Sequence, residues 1–170
     1  MEKYIIKSSK IYTPEKLIDG GILISGKTIE KVLEKKDLEG HSKFKTIDMG
    51  ENLIIPGLID IHIHGSGGWA VGAGDIENIK GLCKYLPSIG VTSFQPTTGG
   101  EDVPTINKSL RSISKVIEGN YDGARILGIH MEGPFLNPIK KGVFIVRNLL
   151  EPSVDMKHNS CNFSSRNRRR

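Results

Sequence analysis

Residues 58–68, LIDIHIHGSGG, set an apolar run against two histidines one residue apart and close it with glycines. Side chains alternate across an extended strand, so Ile59, Ile61 and Ile63 share one side, and Asp60, His62 and His64 share the other. The isoleucine side suits packing under helices. Three ionisable groups on an inward face are costly unless something binds them. A divalent metal does so well, because imidazoles at i and i+2 converge on one ion. Taken alone, a His-x-His pair is more often two satisfied histidines. Three features shift that weight. The pair ends a strand, where barrel enzymes place their chemistry. Gly65, Gly67 and Gly68 permit a tight turn directly after it. A later stretch, residues 124–138, repeats the design, with Ile129 and Met131 on one side and His130 and Glu132 on the other.

Outward from this stretch the pattern is regular. Residues 75–90 have Ile76, Ile79, Leu82, Cys83 and Leu86 at helical spacing, with Gly90 at the end. VTSFQPTT, residues 91–98, reads as a second strand, with Gln95 and Thr97 either lining the site or filling the interior. Residues 103–119 predict a second helix, with Pro104 in its first turn and Ile106, Leu110, Ile113 and Ile117 on one face. The order strand–helix–strand–helix–strand implies parallel strands, in an open doubly wound sheet or part of a β/α barrel. Before it, residues 1–52 read as all β, with a hairpin of Ile22–Ser25 and Thr28–Leu33 around Gly26-Lys27.

At 170 residues the length predicts about one domain. The net charge of +5 is carried by Lys157, Arg166, Arg168, Arg169 and Arg170, which leave residues 1–156 neutral. A nucleic-acid partner is therefore not expected: any contact is confined to the tail, and no aromatic platform accompanies the arginines. A membrane partner is not expected either, since no stretch of about 18 apolar residues occurs and the N-terminus lacks signal-peptide character. Two cysteines, Cys83 and Cys161, make no disulfide framework, which fits a reducing cytoplasm. GSGG lacks the following Gly-Lys-Ser/Thr of a phosphate loop and reads as a turn.

IIPGLIDIHIHG, GVTSFQPTT and above all GIHMEGPFLNPIKKGVF resemble the N-acetylglucosamine-6-phosphate deacetylases of the metal-dependent amidohydrolase superfamily. The first stretch is shared across the superfamily; the last is more specific to these deacetylases and weighs against a dihydroorotase-like or allantoinase-like enzyme, while a non-catalytic fragment stays open as an alternative. The resemblance covers residues 1–156. It implies an α/β fold: the first three strands of a (β/α)8 TIM barrel (53–156), preceded by part of a small β-sandwich (1–52). It implies hydrolysis of N-acetylglucosamine 6-phosphate to glucosamine 6-phosphate and acetate, with zinc or iron, one or two ions, as cofactor. By motif position Glu132 matches a metal ligand, and His62 and His64 match the further ligands of members that hold two metals. Val143 and Phe144 match positions that contact the sugar, Phe144 replacing a histidine of some members. Full-length members are commonly homodimers.

The same resemblance assigns the acid/base aspartate, two further histidine ligands and the phosphate-binding residues to later strands. No catalytic acid or base is therefore expected in this chain; Asp155 is a poor candidate, and His41 and His158 match no ligand position. A barrel of this class needs about 250 residues and eight strands. The expectation from sequence is thus a truncated, inactive chain, whether by a frameshift near residue 157, an artefact or a real end, with residues 157–170 a disordered, non-native basic tail. Asp60 is a candidate to support a metal-bound histidine. Lys140 and Lys141 read as a solvated pair, and Trp69 as packing or part of the site mouth.

Overall fold

The computed structural model describes residues 2–152. The expected tail, with Asp155, His158 and Cys161, lies outside them. The chain divides at Pro56/Gly57 into two compact units.

The first unit is a single five-stranded sheet. Strands β1 (Lys3–Tyr12), β2 (Leu17–Ser25) and β3 (Thr28–Glu34) run antiparallel in the order β3-β2-β1. The hairpin turns at Gly26, whose φ of 58° a side chain would resist. Strands β4 (Lys45–Asp48) and β5 (Leu53–Ile54) then pair with β1 in parallel. Leu53 and Ile54, expected to open the histidine strand, therefore belong to this first sheet. Pro56 supplies no N–H to continue a ladder, and the chain leaves the sheet there. Ile5, Leu23 and Leu33 form the core of the unit, with Leu38 and Phe44 packed onto it.

The second unit is the α/β part. Strand β6 (Leu58–Ile63) leads into a short hairpin of β7 (Gly65–Ser66) and β8 (Trp69–Ala70), turning at Gly67 and Gly68 with φ of 60° and 87°. The GSGG segment is thus a turn. Helix α1 (Ile76–Tyr85) begins at Asp75, whose carboxylate accepts the Glu77 N–H. The expected helix ends early: Leu86–Ile89 tighten into a 3-10 turn, because Pro87 cannot donate the next helical bond, and Gly90 closes it with a left-handed φ of 83°. Strand β9 (Val91–Thr98) and helix α2 (Val103–Glu118) match the expected segments.

The third expected strand is divided. Residues Arg125–Ile126 (β10) and His130–Met131 (β11) each pair with β9 in parallel. Between Ile126↔Phe94 and His130↔Thr97 this strand advances one residue more than β9, a bulge around Gly128. Strand β9 is central, with β6 on one side and β10 and β11 on the other; every pairing is parallel.

The core lies between the sheet and the two helices. Ile79, Leu82, Cys83 and Leu86 meet Phe94, Ile113, Val116 and Ile126, with Ile63 and Ile129 packed against them. Cys83 behaves as a buried hydrophobe, and burial pushes its thiol pKa up to about 12. The isoleucine side of β6 departs from expectation. Ile63 packs on the core, but Ile59 and Ile61 are 62% and 66% exposed. Helix α2 packs on β9 and α1 on α2 and the β7–β8 hairpin, and these two isoleucines of β6 are left exposed. No helix among the described residues is long and apolar enough to cross a membrane.

Candidate metal centre

Three side chains converge at the C-terminal end of the parallel strands. His62 lies near the end of β6, His64 just beyond it, and Glu132 one residue beyond β11 on the other side of β9. Backbone bonds fix each position. The Glu132 N–H donates to the Thr98 carbonyl at 2.7 Å, extending the β9–β11 ladder by one step, and the Val71 N–H donates to the His64 carbonyl at 2.8 Å.

The His62 and His64 Nε2 atoms lie 3.2 and 2.9 Å from one oxygen of Glu132, and 3.3 Å from each other. Around an ion with bonds near 2.1 Å, neighbouring ligand atoms sit roughly 3.0–3.4 Å apart. The triangle is therefore the right size for one face of a metal's coordination shell. It is awkward as a hydrogen-bond network. Two imidazoles that both donate to the same oxygen turn two N–H groups on each other, and a cation resolves that conflict. All three groups are reachable from solvent, Glu132 least so. The donor set, two imidazoles and one carboxylate, suits zinc or iron.

Around the triangle the sequence expectations fare differently. His130 points to the same side, its ring 4.7 Å from that of His62 and inclined at 68°. Asp60 does not orient an imidazole; its carboxylate accepts the backbone N–H of His62 at 3.0 Å. Thr97 is fully buried and bonds the Ile63 N–H and the His130 ring. Gln95 is half-buried beside it in sequence. Phe144, expected to meet a sugar, is buried against Gly133, while Val143 is 97% exposed. The Trp69 indole lies over Gly81 of α1, a packing contact. Lys140 is exposed, and Lys141 is half-buried with its Nζ donating to the Gly142 carbonyl.

Sequence reasoning did not find the polar clamp on the loop behind His64. Ser109 and Ser112 of α2 donate to the Gly72 and Gly74 carbonyls at 3.1 and 2.9 Å, and Lys108 Nζ to the Ala73 carbonyl at 3.1 Å. Both serines are buried at helical spacing among apolar residues, and that was the available signal.

The solved structures this chain resembles are amidohydrolase barrel enzymes, of which the α/β chain covers a part. A deacetylase from Pasteurella multocida superposes with a TM-score of 0.78 at 24% identity, over 95% of this chain and 42% of that one. Among curated proteins, it is similar to N-acetylglucosamine-6-phosphate deacetylases. The Bacillus subtilis enzyme is 32% identical over 145 residues, covering 83% of this chain and 36% of the relative; the Haemophilus influenzae enzyme is 31% identical over 163 residues, covering 94% and 41%. The chain thus spans about two fifths or less of these relatives. No family model matches it.

Proposed function

We propose that this chain carries the metal-binding face of an N-acetylglucosamine-6-phosphate deacetylase, which hydrolyses the acetamide of its substrate to glucosamine 6-phosphate and acetate in amino-sugar catabolism. The observation that carries the reading is the convergence of His62, His64 and Glu132 from two strands onto a triangle with edges of 2.9–3.3 Å. The homologous deacetylases supply the substrate.

In this reading residues 57–152 belong to the first three β/α units of a (β/α)8 barrel, and residues 2–56 are part of a β-sandwich. His62, His64 and Glu132 hold a divalent ion, zinc or iron, in a site of one or two metals. A bound ion of this kind lowers the pKa of water toward neutrality and polarises an amide carbonyl. The protein's own part is to bring both Nε2 atoms and one carboxylate oxygen to within 3.3 Å of one another, so that two imidazoles and one carboxylate would share the ion. Val143, held out into solvent, and Phe144, buried against Gly133, are the proposed sugar-contact positions. No proton transfer is assigned to Asp60, which is engaged by the strand itself. The enzyme is read as a cytoplasmic homodimer.

Two measurements test this. Purified chain titrated with zinc is expected to bind it stoichiometrically, and the triple variant His62→Ala/His64→Ala/Glu132→Ala to bind none. Residues 57–152 grafted over the matching segment of the Bacillus subtilis relative should support acetate release from N-acetylglucosamine 6-phosphate, and Glu132→Ala should abolish it. A folded chain that takes up no more metal than the triple variant overturns the reading.

A further inference from the structure

We propose that Thr97 is a positioning residue for the metal site, its hydroxyl setting the backbone between the two histidines on one side and the His130 ring on the other. The inference rests on the reading that His62, His64 and Glu132 bind a metal, and it deepens that reading.

The β6–β9 ladder is irregular beside the two histidines. Asp60 pairs with Phe94 and Ile63 with Pro96, so β6 carries one residue more than β9 across the stretch that contains His62. Pro96 has no N–H to offer its neighbour, and a bulge at that point is the natural result. The amides of the bulged stretch are then held by side chains. His62 N–H donates to Asp60 within the same strand, at 3.0 Å, and Ile63 N–H donates to Thr97 Oγ1, at 2.9 Å. The second bond adds a side-chain tie from Thr97 to this stretch, beside the ladder pairing of Ile63 with Pro96.

Ile63 is covalently joined to both His62 and His64. Its amide therefore sets where both imidazoles start. Having accepted that N–H, the Thr97 hydroxyl has one proton to give. The His130 Nδ1 lies 3.2 Å from it, and the Gln95 carbonyl, which accepts, lies 3.4 Å away. The His130 ring in turn packs edge-on against His62. One buried oxygen thus links β6, β9 and β11 beneath a triangle whose edges leave little room for drift.

A merely space-filling Thr97 predicts something different, because valine fills the same volume without the hydroxyl. The experiment compares the wild-type chain with Thr97→Val and Thr97→Ser. Zinc affinity is read by competition with a chromophoric chelator, ligand geometry by the visible spectrum of the cobalt(II)-loaded chain, and folding by circular dichroism. Thr97→Val is expected to weaken zinc binding by about 10–100-fold and to change the cobalt spectrum. Thr97→Ser should restore both. A folded Thr97→Val with wild-type affinity and spectrum overturns the inference while leaving the metal reading standing. A wild-type chain that binds no metal overturns the metal reading, and the hydroxyl's role with it. Should Thr97→Val fail to fold, amide exchange in the wild-type chain decides: the Ile63 N–H must be protected, and exchange at the rate of an open amide overturns the proposal.

Discussion

Glu132 is where the two halves of the site meet, and its neighbours leave it little freedom. A side chain built at Gly99 would run into the Glu132 carbonyl. Gly99→Ala is therefore expected to push Glu132 off the imidazoles and weaken zinc affinity, read in the same chelator competition; an unchanged affinity would mean that the segment after β11 yields without cost. The grouping of these side chains was legible, since two-residue alternation puts His62 with His64 and His130 with Glu132. What Thr97 does was not. The alternation rule assumes an unbroken ladder, and the extra residue in β6 depends on Pro96 lying opposite Ile63, a register that no single stretch of sequence displays. Asp60 misled for a related reason. On a flat strand it would share the histidine face; beside the bulge its carboxylate is within reach of the His62 N–H and takes it.

At the scale of elements, helices were read best because their signals are local. The buried stripes of α1 and α2 lie where spacing puts them. The early end of α1 follows from Pro87, and the division of the third strand from a bulge around Gly128, both clearer in the pairing than in composition. Asp102 offers a pH test. Hydrogen bonds from Thr105 hold its carboxylate below the usual value, so the folded chain favours the ionised form. A depressed folded value contributes stability that is full above the unfolded pKa of about 3.9 and is lost as pH falls through the folded value. Thermal unfolding from pH 6 to pH 2.5 should show the wild type losing more than Asp102→Asn over the acid end of that range. Equal losses would show that the cap does not act through its charge. For α1, Asp75→Ala removes the bond to the Glu77 N–H and is expected to cost about 1 kcal/mol in urea unfolding.

For the molecule as a whole, the α/β unit separates a face that is packed from one that is not, and the two make opposite predictions. Leu82 is fully buried among Phe94, Ile113 and Ile126, while Ile61, equally apolar and only two residues from the core-packed Ile63, is 66% exposed. From sequence the two look alike, because hydrophobic periodicity reports which side of an element is apolar and not whether anything lies against it. Leu82→Ala should remove packing that cannot fully collapse and cost about 2–5 kcal/mol. Ile61→Lys should cost no more than about 0.5 kcal/mol, since a side chain already in water loses nothing by becoming charged. Urea unfolding of the two variants, at unchanged slope, reads both values directly. Analytical ultracentrifugation belongs beside it, because an apolar strand face left in water invites association. If Ile61→Lys proves as damaging as Leu82→Ala and the wild-type chain sediments as more than a monomer, then the outer side of β6 is covered in solution and its isoleucines are core residues after all.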